Sequence, residues 1–177
     1  RTLPHIMHSK ILSDDPVNIP GEICVRGVNV MKGYYKNVAA TEAVLDPERW
    51  LHTGDMGTRS DDGTIFIKGR YKTMILSSNG QNIYPEEIEA KLNNMPYVAE
   101  SLVVERNNLL VALVYPDYEA MDKFGITNEQ LPEEMDRILA DLNKLVAPYE
   151  RVDRIQLIAN EFEKTPKRSI KRYLYNA

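Results

Sequence analysis

Three short segments carry residue types that could do chemistry, and the first is Thr53-Gly54-Asp55-Met56-Gly57. A carboxylate set between two glycines has room around it, and carboxylates accept hydrogen bonds from vicinal hydroxyls such as those of a ribose. Asp beside Gly is also the common signature of a plain turn. The second segment, Gly69-Arg70-Tyr71-Lys72, leads into Asn79-Gly80-Gln81-Asn82 and then Ile83-Tyr84-Pro85-Glu86-Glu87-Ile88-Glu89. A guanidinium directly after a strand is a rigid donor fork suited to hydroxyl or phosphate oxygens. Ser77-Ser78-Asn79-Gly80 reads as a small polar loop that a ligand could approach closely. It has neither the Gly-Lys-Ser/Thr of a Walker A loop nor the Gly-x-Gly-x-x-Gly dinucleotide pattern. A surface arginine and a helix-capping loop remain the plain alternative.

The third segment is the tail Lys164-Thr165-Pro166-Lys167-Arg168-Ser169-Ile170-Lys171-Arg172, with five basic residues among nine. Three readings stay open for it: a solvated tail, a nucleic-acid contact, or a phosphate-directed lysine on a loop that folds over a nucleotide. Only Tyr173 and Tyr175 could add stacking to the second reading. His5 and His8 have a spacing that metals can use but lack carboxylate or thiol support, so no metal site is expected. His52, just before Thr53, is expected to serve local packing.

Elements must position these groups. Glu22 to Arg26 alternates, with Ile23 and Val25 on one face, and reads as a strand. Asp61-Asp62-Gly63 is a turn signal followed by a strand over Thr64 to Lys68. A short helix is expected around Ala39 to Leu45. Further on, Pro85 suits the first position of a helix, Glu86 and Glu87 favour its positive end, and Pro96 bars its continuation. Ile88 and Leu92 give that helix a buried face. Val98 to Val104 and Leu109 to Tyr115 form a hairpin across Arg106-Asn107-Asn108. The stripe Met135, Ile138, Leu139, Leu142, Leu145 and Val146 predicts a helix over Pro132 to Val146 that serves the core. Ile155 to Ile158 is a last strand. The expected class is α+β with segregated elements.

Composition narrows the field. Of 177 residues, 43 % are hydrophobic and 27 % charged, which suits a folded globular chain. The net charge of −4 favours neither nucleic acid nor an anionic membrane as partner, leaving at most peripheral membrane contact. The longest apolar run, Leu109 to Tyr115, is far short of the roughly 20 residues of a spanning helix. Cys24 is the only cysteine, which excludes an internal disulfide and suits a cytoplasmic setting. The chain opens at Arg1 without a secretory leader and is read as cut from a larger protein.

Taken in order, Gly33-Tyr34-Tyr35-Lys36-Asn37, Trp50-Leu51-His52-Thr53-Gly54-Asp55, Gly69-Arg70-Tyr71-Lys72, Asn82 to Glu89 and the basic tail resemble the adenylate-forming superfamily. That superfamily includes acyl-CoA synthetases, peptide-synthetase adenylation domains and firefly luciferase, and the chain looks most like the long-chain fatty acid branch. The resemblance implies a fold in two pieces. Residues 1–71 would be the β-rich end of the large AMP-binding domain, and residues 72–177 a small mobile α+β domain with a short central sheet. It also implies roles: Asp55 and Arg70 hold the ribose of ATP and acyl-adenylate, Lys72 is the hinge, and Gly80 approaches the pantetheine arm of CoA.

The family tail usually reads Lys-Thr-x-x-Gly-Lys-Ile-x-Arg, its second lysine neutralising charge during adenylation. Here Ser169 occupies that lysine position and Arg168 the glycine. A hydroxyl cannot supply the same electrostatic stabilisation, so Lys171 is taken as the substitute. The implied reaction joins a fatty acid or other carboxylate to CoA through acyl-AMP, with ATP, Mg2+ and CoA required. The ATP-phosphate loops and acyl pocket would lie in an N-terminal part preceding Arg1, so this chain alone is expected to be inactive. The rival functions are an adenylation domain loading a carrier protein, and a non-catalytic adenylate-binding module.

Overall fold

The computed structural model describes residues 7–77 and 79–175. The chain divides into two compact units, Arg1–Thr73 and Met74–Ala177.

The first unit is built on one antiparallel sheet in the order β1 (Met7–Leu12), β2 (Gly21–Gly27), β3 (Leu51–Arg59), β4 (Ile65–Arg70). Ile11, Ile23, Cys24, Leu45 and Met56 are its buried apolar residues. Between β2 and β3 lies α1 (Val38–Glu42), whose first turn is capped by Asn37 accepting from the Ala40 N–H at 3.0 Å. The expected helix over Ala39 to Leu45 thus begins earlier and stops sooner. Two strands have no counterpart in the sequence-based reading. β1 has weak alternation, and β3 contains Thr53-Gly54-Asp55, which a glycine count alone assigns to a turn. Pairing with β2 on one side and β4 on the other holds that segment extended, even though Gly54 sits at φ +72°.

Glycine is required at Gly57 for a spatial reason. A Cβ there would stand 2.5 Å from the Phe66 backbone oxygen across the β3–β4 pair. The ladder shifts register between Met56 and Gly57, a bulge next to Asp55. The Asp61-Asp62-Gly63 turn closes as the pattern predicts, with Ser60 donating to the Thr64 carbonyl at 2.9 Å.

The second unit begins with a two-stranded hairpin, β5 (Ile75–Leu76) and β6 (Asn82–Ile83), followed by α2 (Pro85–Leu92). Its central sheet runs β7 (Val98–Arg106), β8 (Leu109–Pro116), β9 (Arg154–Leu157). β7 and β8 are antiparallel, joined by Asn107 and Asn108, both at positive φ (53° and 62°) as a tight two-residue hairpin demands. β8 and β9 are parallel, so a crossover is needed, and α3 (Tyr118–Phe124) and α4 (Leu131–Leu145) supply it. α3 has no counterpart in the sequence-based reading; Asp117 caps it by accepting from the Ala120 N–H, and Gly125 ends it in the left-handed conformation.

The alternation of β7 and β8 explains their continuous apolar character. Val103, Leu110, Ala112 and Val114 face one core, packed with Ile88 and Leu92 of α2 and Met135, Ile138 and Leu142 of α4. Leu102, Val104, Val111 and Leu113 face a second core closed by Phe162, Ile170 and Tyr175 of the tail. A sheet covered on both faces loses the polar-out alternation. Full burial of Ile88, Leu92 and Leu142 contributes about 1.5–3 kcal/mol each. Leu145, placed in the core stripe by its spacing, is 60 % exposed because α4 ends there and its last carbonyl is capped by the Lys91 ammonium at 3.0 Å. Among the described residues, no helix is long and apolar enough to cross a membrane.

Candidate functional site

The site-bearing part of the first unit is the β3–β4 pair. Asp55 and Arg70 are cross-strand partners, and the Arg70 Nε donates to Asp55 Oδ1 at 2.9 Å. A second guanidinium nitrogen donates to the Thr53 carbonyl at 3.1 Å. Asp55 is half-buried and Arg70 exposed, so both remain open on one side to a ligand. Gly54 is set apart by its φ of +72°, since a Cβ there would make only an ordinary contact with Arg70, at 3.6 Å. The turn of backbone around Asp55 is held from behind. Thr53 Oγ1 donates to the Ile23 carbonyl at 2.8 Å and accepts from the Asp55 N–H at 3.1 Å. Glu22 Oε1 accepts from the Gly54 N–H at 3.0 Å, and its other oxygen lies 2.8 Å from His52 Nδ1. The sequence expectation of mere packing for His52 therefore understates it, because the partner comes from a neighbouring strand thirty residues away.

Lys72 is exposed on a short 3-10 turn, Tyr71–Thr73, directly after β4. Gly80 sits at the tip of the β5–β6 hairpin with φ +81° and no atom within 4 Å of a built Cβ. Ser77 Oγ closes this loop by accepting from the Gln81 N–H and donating to the Gln81 carbonyl, both at 2.9 Å. Ser78, part of the same predicted loop, and His5 lie outside the described residues. His8 lies on β1 opposite Arg26. A cleft of about 540 Å³ adjoins the hairpin, with Leu76, Ser77, Leu109, Tyr149 and Arg151 in its wall.

The basic tail is docked. Phe162 is buried and meets Tyr175 edge to face at 5.1 Å, while the Tyr175 hydroxyl accepts from the Glu163 N–H at 2.9 Å. Lys164 pairs with Ile170 across a tight reverse hairpin, closed by Thr165 N–H to the Ser169 carbonyl and Lys171 N–H to the Glu163 carbonyl, each 2.8 Å. Arg168 stands at φ +62°, a conformation that favours glycine, at the position where the family pattern has one. Ser169 is exposed. Lys171 is ion-paired with Glu163 at 3.1 Å, and this hydrogen bond holds its ammonium above the usual lysine range. Lys164 is likewise raised, by a hydrogen bond to Glu100.

Arg172 anchors the whole tail. Its guanidinium binds both oxygens of Glu89 at 2.8 and 2.9 Å and donates to the Val103 carbonyl at 2.9 Å, while Glu89 accepts from the Val103 N–H at 2.7 Å. Burial pushes the Glu89 carboxyl up, against the pull of Arg172. The sequence shows no local sign of this pair, whose members are 83 residues apart.

The structure therefore joins Asp55 to Arg70 and leaves the other candidates on separate elements: Gly80 on the β5–β6 hairpin, Ser169 and Lys171 on the tail.

Residues 72–177 match the family model described as the AMP-binding enzyme C-terminal domain. The chain is 37 % identical over 141 residues to 4-coumarate-CoA ligase 2 of Narcissus pseudonarcissus, a match over 80 % of this chain and 24 % of that protein. It is 42 % identical over 125 residues to indoleacetate–CoA ligase of Aromatoleum aromaticum, covering 66 % of this chain and 24 % of that protein. The chain thus spans about a quarter of the length of these curated relatives. Among solved structures, o-succinylbenzoate CoA synthetase from Bacillus subtilis, in complex with its acyl-adenylate intermediate, superposes with a TM-score of 0.76 at 26 % identity. That superposition covers 98 % of this chain and 34 % of that one.

Proposed function

Since the chain belongs to the AMP-binding enzyme C-terminal domain family of the adenylate-forming superfamily, we propose that it is the carboxy-terminal part of an ATP-dependent carboxylate–CoA ligase. In that reaction a carboxylate attacks the α-phosphate of ATP, releasing pyrophosphate, and the CoA thiolate then displaces AMP from the acyl-adenylate. The observation that carries the reading is the Asp55–Arg70 pair on adjoining strands directly before the Lys72 turn. Asp55 accepts the ribose hydroxyls, and Arg70 both steadies that carboxylate and donates to the sugar. Lys72 serves as the hinge between residues 1–71 and 72–177, which allows one domain to serve two half-reactions. Gly80, with open space around its Cα and the adjoining cleft, receives the pantetheine arm.

Lys171 supplies the cation in place of Ser169. It must leave Glu163 to act. Magnesium enters with ATP, where it would neutralise phosphate charge. The nitrogen-and-sulfur cluster of Glu22, Cys24 and His52 does not suit that hard, oxygen-seeking ion. The acid belongs to the same proposal: a long-chain fatty acid follows from the sequence resemblance, while the relatives above are named for coumarate and indoleacetate.

The test is pyrophosphate release by the whole protein with ATP, Mg2+ and a panel of fatty, phenylpropenoic and indole acids, beside Lys171→Ala and Ser169→Lys. Loss of release in Lys171→Ala supports the relocated lysine. No release from the unmodified protein, with recovery in Ser169→Lys, would replace this reading with a non-catalytic adenylate-binding module, the outcome that Ser169 itself favours.

A further inference from the structure

The geometry points to a zinc-type divalent cation site on the β2–β3 pair, formed by Glu22, Cys24 and His52. Cys24 and His52 are direct cross-strand partners, and such partners place their side chains side by side. Glu22, two residues from Cys24 on the same strand, joins them across the local register shift. Cys24 Sγ lies 3.6 Å from His52 Nδ1, and Glu22 Oε2 lies 2.8 Å from the same nitrogen. One ligand atom from each residue falls within 4.8 Å of the other two. A tetrahedral zinc with bonds of about 2.0–2.3 Å separates its ligands by roughly 3.3–3.7 Å. The sulfur–nitrogen distance already fits, and the nitrogen–oxygen distance needs to open by about half an ångström.

The surroundings are those of a ligand set held in place. The far ring nitrogen of His52 faces Asp46 Oδ2 at 3.9 Å, and Asp46 is itself fixed by the Trp50 N–H at 2.8 Å. At that distance Asp46 is a charged neighbour of the ring and not its hydrogen-bond partner, and its charge favours a proton on the nitrogen that faces it. The second oxygen of Glu22 is tied to the Gly54 N–H. Thiol, imidazole and carboxylate together suit zinc or cobalt and not calcium or magnesium. Three protein ligands leave a fourth position for water, on the side where His52 and Glu22 are partly open.

Proton balance is simple. Without metal the imidazole donates from Nδ1 to Glu22; on binding, that proton moves to Nε2, facing Asp46, and the Cys24 thiol releases its own to solvent. Because the ion takes the thiolate, binding releases that proton and affinity rises with pH.

The test uses the full chain, treated with chelator and titrated with Co2+ as the probe. Because Cys24 is the only cysteine, a thiolate-to-cobalt charge-transfer band can arise only from it. The expected result is that band at one ion per chain, bleached by added Zn2+ and absent in Cys24→Ser at unchanged circular dichroism. Glu22→Gln, which keeps an acceptor for the Gly54 N–H, should weaken binding at least tenfold. No band in the unmodified chain, or equal cobalt affinity in Cys24→Ser, overturns the site. If Cys24→Ser fails to fold, protection of the Cys24 thiol from alkylation by stoichiometric Zn2+ decides the matter in the unmodified chain.

Discussion

Replacing Arg172 by alanine strands a buried carboxylate. Glu89 is 9 % exposed and the Arg172 side chain 20 % exposed. The substitution removes two charge-assisted bonds to Glu89 and one to the Val103 carbonyl, leaving Glu89 only the Val103 N–H. Breaking a buried pair from one side costs about 3–5 kcal/mol. The partial exposure of Arg172 and the surviving Val103 bond reduce this to roughly 2–4 kcal/mol. For a unit of this size, at roughly 4–8 °C per kcal/mol, that is a fall in Tm of roughly 8–32 °C. Arg172→Lys keeps the charge but loses the fork and should fall between the two.

pH gives an independent check on the same pair. Burial already raises the Glu89 carboxyl, and without the guanidinium it rises further. A carboxyl raised on folding contributes stability that is full below its unfolded pKa and is lost as pH rises through its folded value. The deficit of Arg172→Ala should therefore be smaller at pH 5 than at pH 8. Far-UV circular dichroism is the appropriate readout, with hydrogen exchange at the Val103 and Lys171 amides reporting release of the tail. Trp50, the only tryptophan, lies in the first unit and does not report on this pair. A Tm change under about 2 °C for Arg172→Ala, against the roughly 4–8 °C expected per kcal/mol, would refute the anchoring argument, as would an Arg172→Lys variant indistinguishable from the unmodified chain.

Two other consequences are open to direct measurement. Gly57→Ala forces a Cβ to 2.5 Å from the Phe66 carbonyl and should cost several times more than Gly80→Ala. The latter meets no atom and bears only the left-handed strain of about 1–2 kcal/mol; equal chemical-denaturation midpoints for the two would contradict the contact. Asp62 is held down to about 2, first by the Ser60 hydroxyl and then by the Thr64 N–H. Its contribution to the turn is present above the ordinary carboxyl range and lost as pH falls through about 2. An NMR titration of the Asp62 carboxyl should show that midpoint, and Ser60→Ala should move it upward; a value near 3.8 in the unmodified chain would count against the turn geometry.

Much of the fold was legible because it is local. Pro85 with Glu86 and Glu87, the 3.6-residue stripe of α4, and the paired asparagines between β7 and β8 each specify their element within a few residues. The candidate residues Asp55, Arg70 and Gly80 could also be singled out by type and spacing. What they rest on could not. β3 is a strand because β2 and β4 flank it, and nothing within Thr53-Gly54-Asp55 announces this.

The same holds for the strongest polar contacts. Glu22 reaches Gly54 and His52, and Cys24 meets His52, only because the register of β2 on β3 sets them opposite. Glu89 and Arg172 meet only because α2 and the tail both pack against β7. By itself the sequence determined α2, α4 and the tight turns at Gly63 and Asn107-Asn108, and which side chains are candidates for chemistry. Only the tertiary structure decided which of those side chains are partnered, since burial and cross-strand register are properties of neighbours that the chain brings together from afar.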